Sequence, residues 1–308
     1  MLSIILTANN EKHLLSCIKN LAGAVGKPAE IIVVLDGDTE AVNVPRQMPV
    51  KFIENEERLG IGKSRNIGAR AAQGDVLCFC DAHVWVRTGT LDLLAGDAKE
   101  KSPAVIVPAF GNFKEDFPNK IRYNYGGGLV FKRSKWWFYL CVERYDRRRF
   151  ARRRGCHAVG MTMTRETFEK LGGWLDMPGY WSSNDVAMSL KALMTDTPIL
   201  VEPRVKIAHM VRSVRAHQTP GYHQVLNRYY TAGVLFSRET YGKFWLPNFM
   251  RVWPLERYGT TPERIQEINR ALDPKKMRKA RDEFRRNIVW PDDKILGILV
   301  GKAAKVAL

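Results

Sequence analysis

The chain has 308 residues, of which 45% are hydrophobic and 26% charged. That composition excludes a disordered or fibrous protein and supplies enough material for a large buried core. The formal net charge is +17, an excess that points to a polyanionic partner such as nucleic acid, an anionic membrane surface or an acidic glycan.

In chain order, "LSIILTA" (2–8) is an apolar, β-branched run and reads as a buried strand. A helix follows, with Leu14, Leu15, Ile18 and Leu21 on one face and Gly23 near its end. "EIIVVLDGD" (30–38) and "VKFIEN" (50–55) read as further strands. "GIGKSRNIGARAAQG" (60–74) is a helix with a glycine-rich entry, and its spacing matches neither a P-loop nor a dinucleotide fingerprint. "DVLCFCDAH" (75–83) is a fourth strand. This alternation predicts an α/β chain with a mostly parallel central sheet flanked by helices. Ligands of such sheets lie at the carboxyl ends of the strands, where Thr7, Asp36, Asp38, Asp81 and His83 fall.

Residues 111–154 break the alternation. From Lys120 to Arg154 there are 12 Lys or Arg, two acidic residues and nine aromatics. Cations neutralise phosphates and aromatics stack on bases or sugars, so Trp136, Trp137, Arg147, Arg148 and Arg149 are candidate acceptor-binding residues. "GMTMTRETFEKLGGWLD" (160–176) reads as a strand and a Thr-capped helix. "SSNDVAMSLKALMTD" (182–196) is a helix with Asp185 in its first turn, and "PILVEPRVKIAHMVR" (198–212) is extended and ends near His209. The remainder, 236–308, reads as a helical, basic C-terminal extension. The five cysteines form no CxxC pair. With no signal peptide or membrane-spanning run, the expected location is cytoplasmic, or peripheral to a membrane if the basic segments lie on anionic lipid.

Asp81 and His83, two positions apart on an extended backbone, face one side and suit Mn²⁺ or Mg²⁺. Taken alone, a carboxylate at a strand end also fits a turn cap. The ordered motifs "SIILTANNE", "EIIVVLDGDTE", "GIGKSRNIGARAAQGDVLCFCDAH", "GMTMTRETFEKLGGWLD", "YWSSNDVAMSLKA" and "VKIAHMVR" resemble the family-two nucleotide-sugar glycosyltransferases of the GT-A fold. The Asp-x-His motif is similar to that of the polypeptide N-acetylgalactosaminyltransferases. The resemblance implies Asp81, His83 and His209 as metal ligands and a nucleotide-sugar donor whose nucleoside is held by Thr7 and Asp36; Asp38 at its strand end, and the basic Arg65 and Arg212 beside a leaving diphosphate, are further candidates for donor binding. Leu35 departs from the acidic pair common in that family, which leaves the base open, with uracil the usual one. In inverting members an Asp at this helix start is the general base, which implies Asp185 for that role; the N-acetylgalactosaminyltransferases are retaining and carry Asn there, so the metal motif leans to retention and Asp185 to inversion, the outcome favoured here. The expected organisation is a nucleotide-sugar-binding half (1–110), an acceptor-binding and catalytic half (111–235) and the extension (236–308). The expected acceptor is a hydroxymethylpyrimidine in DNA; the alternative is a surface or cell-wall glycan built at a membrane.

Overall fold

The computed structural model describes residues 1–37, 50–114, 121–211, 220–259 and 261–301. The elements are β1 (Leu2–Ala8), α1 (Leu14–Ala22), β2 (Ala29–Asp36), β3 (Val50–Asn55), α2 (Ile61–Ala71), β4 (Val76–Asp81), β5 (Val84–Val86) and α3 (Leu91–Glu100). There follow β6 (Val105–Lys114), β7 (Tyr123–Asn124), β8 (Gly127–Lys132), β9 (Trp137–Val142), β10 (Arg152–Arg153), β11 (Met161–Thr164), α4 (Arg165–Lys170), α5 (Asn184–Met194) and β12 (Ile199–Val211). The described C-terminal part is helical: α6 (Gly221–Leu235), α7 (Arg238–Thr240), α8 (Leu246–Val252), α9 (Pro262–Ala271), α10 (Pro274–Arg285) and α11 (Asp292–Leu299).

One sheet runs β10-β12-β6-β11-β4-β1-β2-β3, with β5 and β7 joined at its side. Strand β1 pairs in parallel with β2 and β4, β2 with β3, and β6 with β12. Only short strands run antiparallel; β11 wedges between β4 and β6 in that sense. The expected boundary at residue 110 falls inside β6, so the sheet is continuous across it.

The strands are apolar at successive positions because both faces are covered. Ile4, Leu6, Ile31, Val33, Cys78 and Cys80 face α1 and α3 in one core, while Ile5, Ile32, Val34, Leu77 and Phe79 belong to the core on the other side. Cys78 and Cys80 are thus core residues, and all five cysteines are free. A third core joins β8 and β9 to α5 and α6 and takes in Phe244, Trp245, Phe249, Phe284, Ile295 and Leu296. The C-terminal helices are therefore built into the body of the protein, not appended to it. No helix among the described residues is long and apolar enough to cross a membrane.

One glycine fixes how α2 enters. Gly60 has φ +93, and a Cβ there would lie 2.8 Å from Tyr180 Cα. Helix α4 ends at Gly172 and Gly173, whose carbonyls accept from the buried Lys191 amine at 3.1 and 2.8 Å. Burial pulls the Lys191 pKa down to about 7, with Asp176 and Glu283 opposing. The unfolded chain therefore holds more protons than the folded one between that value and the ordinary lysine range near 10.4. Wild type is expected to gain stability over Lys191→Met as pH rises through that window, measured by urea denaturation at pH 7, 8 and 9. A constant difference would contradict the buried-amine assignment.

Candidate active site

Strands β1, β2 and β4 end level with one another, with Thr7 paired to Val34 on one side and Asp81 on the other. A cleft of about 500 Å³ opens at these ends and is lined by residues that include Thr7, Asp36, Asp81, His83, His157, Asp185 and His209. The extended backbone stops at Asp81, and Ala82–His83 form a turn. The expectation that period 2 alone aligns Asp81 with His83 is therefore corrected. The chain must leave β4 here so that β5 can pair antiparallel with β12.

That pairing brings two distant histidines together. Val84 lies opposite His209, and Met210 N–H donates to His83 O at 3.1 Å. The imidazoles of His83 and His209 lie 4.8 Å apart between centroids. One ligand atom each from Asp81, His83 and His209 falls within 4.8 Å of the others. Each ring is oriented by a side chain that the sequence did not mark. Nδ1 of His83 lies 2.9 Å from Glu11 Oε2, and Nδ1 of His209 lies 3.1 Å from Asn112 Oδ1. Both contacts leave Nε2 as the remaining ligand atom, and that of His209 sits 3.3 Å from Asp81 Oδ2. Orientation of metal-binding histidines by such partners is the common arrangement, and a carboxylate with two imidazoles suits a first-row ion such as Mn²⁺ better than Mg²⁺, which prefers oxygen ligands. The donor set fits a divalent cation.

Arg65 is buried beneath the cleft. Its Nη2 donates to Asp81 Oδ1 at 2.9 Å, its Nη1 lies 3.9 Å from Asp185 Oδ1, and its guanidinium stacks over Trp174 at 4.6 Å. It joins two carboxylates from below instead of lying open to the donor. Burial pushes the Asp81 carboxyl up, but His209, Arg65 and His83 outweigh it and hold the group well below the usual carboxylate range. For Asp185 burial prevails and raises the pKa, with Arg65 and His157 opposing. His157 Nδ1 lies 3.8 Å from Asp185 Oδ2, and burial lowers the imidazole pKa.

Asp185 opens α5 after a strained turn: Ser182 and Ser183 have φ of 86° and 66°, a region that non-glycine residues rarely occupy. Asn227, fully buried on α6, holds that turn. Its Oδ1 accepts from Gly179 N–H at 2.7 Å, and its Nδ2 donates to the carbonyls of Gly179, Trp181 and Ser182.

Asp36 lines the cleft and also organises its wall. Its Oδ1 accepts from Asn55 Nδ2, Leu59 N–H and Ser64 Oγ, and its Oδ2 from Gly60 N–H. The carboxylate thus folds the entry to α2, with Oδ2 accepting one hydrogen bond among the described residues. Arg58, which no pattern singled out, stacks on Tyr180 at 4.5 Å beside the cleft. Asp38 and Arg212 lie outside the described residues.

The acceptor residues need correction. Trp136 and Trp137 are only 6% and 2% exposed, packed among Phe131, Phe138, Phe244, Trp245 and Phe249. They are core, because the β8–β9 sheet buries one face against the C-terminal helices. Arg149 is tied by 2.6 and 2.9 Å ion pairs to Asp97 and Glu202 near the opposite end of β12. Arg148 is exposed and pairs with Asp146, and Arg147 lies over Tyr125 at 5.2 Å.

The chain belongs to glycosyl transferase family 2, whose sequence profile matches residues 3–172. Polypeptide N-acetylgalactosaminyltransferase 11 of Xenopus tropicalis is 26% identical over 220 residues, 65% of this chain and 36% of that protein. Polypeptide N-acetylgalactosaminyltransferase 13 of Homo sapiens is 26% identical over 185 residues, 57% of this chain and 33% of that one. The chain thus spans about a third of the length of these curated relatives. Among solved structures, GalNAc-T7 with UDP, GalNAc and Mn²⁺ superposes with TM-score 0.61 at 17% identity, covering 93% of this chain and 56% of that one. S. aureus TarS 1–349 with UDP-GlcNAc superposes with TM-score 0.52 at 14% identity, covering 98% and 85%. The fold is the GT-A fold of these nucleotide-sugar transferases.

Removing the partner that orients His83 is expected to weaken metal binding without unfolding the chain. Glu11→Gln should lower Mn²⁺ affinity about 10- to 100-fold, measured by isothermal titration calorimetry with the melting temperature recorded in parallel. Wild-type affinity in the variant would contradict the assignment.

Proposed function

We propose that the chain transfers a sugar from a UDP-sugar to a phosphate-rich acceptor, with a hydroxymethylpyrimidine in DNA as that acceptor. The observation that carries the reading is the joining of two half-sites in one cleft: the Asp81–His83–His209 donor set and the Asp185 carboxylate, bridged by Arg65. Asp81, His83 and His209 would hold Mn²⁺ or Mg²⁺, which when bound acts as a Lewis acid on the diphosphate leaving group. Thr7 and Asp36 lie where the nucleoside half of the donor would bind, and Asp36 Oδ2 can take an N–H from the base. Arg65 adds fixed positive charge below the departing diphosphate, of the kind that lowers barriers where charge develops. Asp185 takes the proton of the acceptor hydroxyl as it attacks the anomeric carbon. Its burial supports that role, because a raised pKa improves a carboxylate as a base. With Asp185 as base, transfer proceeds with inversion.

The acceptor reading rests on charge and on the rim of the cleft. Val142 lines the cleft at the end of β9. A few residues on, Tyr145 is 91% exposed and flanked by Arg144, Arg147 and Arg148. Exposed aromatics among cations suit bases and phosphates together. The second reading, a glycan acceptor at a membrane, is favoured by helix α10, where Lys275, Lys276, Arg278, Lys279 and Arg286 are all exposed on or just after it.

Asp185→Asn is expected to cut turnover by about 10²- to 10⁴-fold while UDP-sugar binding persists. The measurement is sugar incorporation into hydroxymethylpyrimidine DNA, followed by mass spectrometry across a panel of UDP-sugars with Mn²⁺. An unchanged rate would remove Asp185 as base. Donor hydrolysis that DNA never stimulates would remove DNA as acceptor.

A further inference from the structure

The guanidinium of Arg228 is an isolated buried charge. It sits on α6, directly after Asn227, and is 7% exposed. It stacks over Trp253 at 4.3 Å and faces Tyr139 at 5.8 Å. Its Nε and Nη1 are buried and find no hydrogen-bond acceptor. No carboxylate pairs with it among the described residues. A buried charge left in this condition is unfavourable: no counter-ion faces it among the described residues, and its side-chain hydrogen bonding is limited to Tyr139.

The surroundings add to the charge instead of cancelling it. Lys132 lies over the same Tyr139 ring at 4.8 Å, and Lys135 over the same Trp253 ring at 5.4 Å. Trp253 Nε1 donates to Lys135 O at 2.8 Å, which ties the β8–β9 turn to the end of α8. Arg251 lies over Trp136 at 5.7 Å, beside the same turn. None of these four cations makes an ion pair among the described residues. Three positive groups thus converge on the Tyr139 and Trp253 rings, with Arg251 on the neighbouring Trp136, and none of them has a carboxylate partner among the described residues.

The cluster is coupled to the cleft by two elements. Strand β9 carries Tyr139 and, three residues on, Val142 in the cleft wall, a separation of about 10 Å along a strand. Helix α6 carries Arg228 next to Asn227, which holds the turn before Asp185. We propose that Arg228, with Lys132, Lys135 and Arg251 around it, is a subsite for one phosphate of a single-stranded phosphodiester chain whose reacting hydroxyl lies in the cleft. This deepens the acceptor reading above and rests on it. The exposed Lys132 and Lys135 would meet one phosphate of a flexible strand first, with the recessed Arg228 guanidinium behind them. A bilayer presents a plane of headgroups that does not reach a group so deeply set.

The test is fluorescence anisotropy of a labelled 12-nucleotide single-stranded DNA on the full chain at several salt concentrations. Arg228→Met should weaken binding about tenfold and reduce the salt slope by about 0.7, the value for one phosphate on a single strand. Its melting temperature should stay equal or rise, because an uncompensated buried charge has been replaced by an apolar chain of similar length. Wild-type affinity in Arg228→Met would overturn the proposal, as would a lowered melting temperature with unchanged binding, which marks a structural arginine. If Arg228→Met does not fold, the exposed pair Lys132→Ala with Lys135→Ala carries the same test of slope and affinity, and unchanged binding there overturns the proposal too. Binding to phosphatidylglycerol vesicles but not to the oligonucleotide also overturns it. Mn²⁺-dependent UDP-sugar hydrolysis by the wild-type chain is measured alongside. Its absence would sink the transferase reading while an Arg228-dependent salt slope still stood.

Discussion

The Arg65 guanidinium ties together everything the cleft could do. It is buried under the cleft, donates to Asp81 and lies within ion-pair reach of Asp185. Two carboxylates so close would repel each other in a buried setting, and one would stay protonated. In the proposed reaction the cation between them would let both serve, one as a metal ligand and one as a base. Arg65 is itself positioned by Trp174, whose ring it covers. Trp174 follows the Gly172–Gly173 stop, where Asn66 Oδ1 accepts from Trp174 N–H and Lys191 takes the glycine carbonyls. Helices α2, α4 and α5 are thus registered on one another through a chain of buried polar contacts, and a loss anywhere along it shifts the arginine.

A second constraint acts from the other side. The metal donor set needs residues 83 and 209 side by side, and only the β5–β12 pairing supplies that. Strand β12 also lies parallel to β6, which places Asn112 opposite His209. The same two backbone ladders therefore set the position of the second imidazole and the partner that orients it. Rigid strands give a site of this kind better precision than loops do.

How much of this was legible from the residues varies with the distance between them. Strands at 2–8 and 50–55 were readable because their apolar runs end in polar residues. A threonine cap of α4, Thr164 or Thr167, was readable from local chemistry, and the cap is Thr164, whose Oγ1 accepts from Thr167 N–H. Glu11 and Asn112 were not, because their partners are 72 and 97 residues away and nothing local marks a loop glutamate as the orienter of a histidine. Trp136 and Trp137 misled for a physical reason. An aromatic-basic run looks the same whether its rings face a ligand or the far side of a small sheet. Only the C-terminal helices, which pack over that face, decide between the two. Arg149 misled likewise, because its buried carboxylate partners lie far away in sequence.

The central claim is that Asp81, His83 and His209 share one divalent ion with the donor diphosphate. Electron spin-echo envelope modulation of Mn²⁺ bound to the protein with UDP tests it most directly. The account predicts nitrogen couplings from two imidazoles together with phosphorus couplings from the nucleotide, and the loss of one imidazole in His209→Ala. A spectrum with phosphorus couplings and no imidazole nitrogen would contradict it.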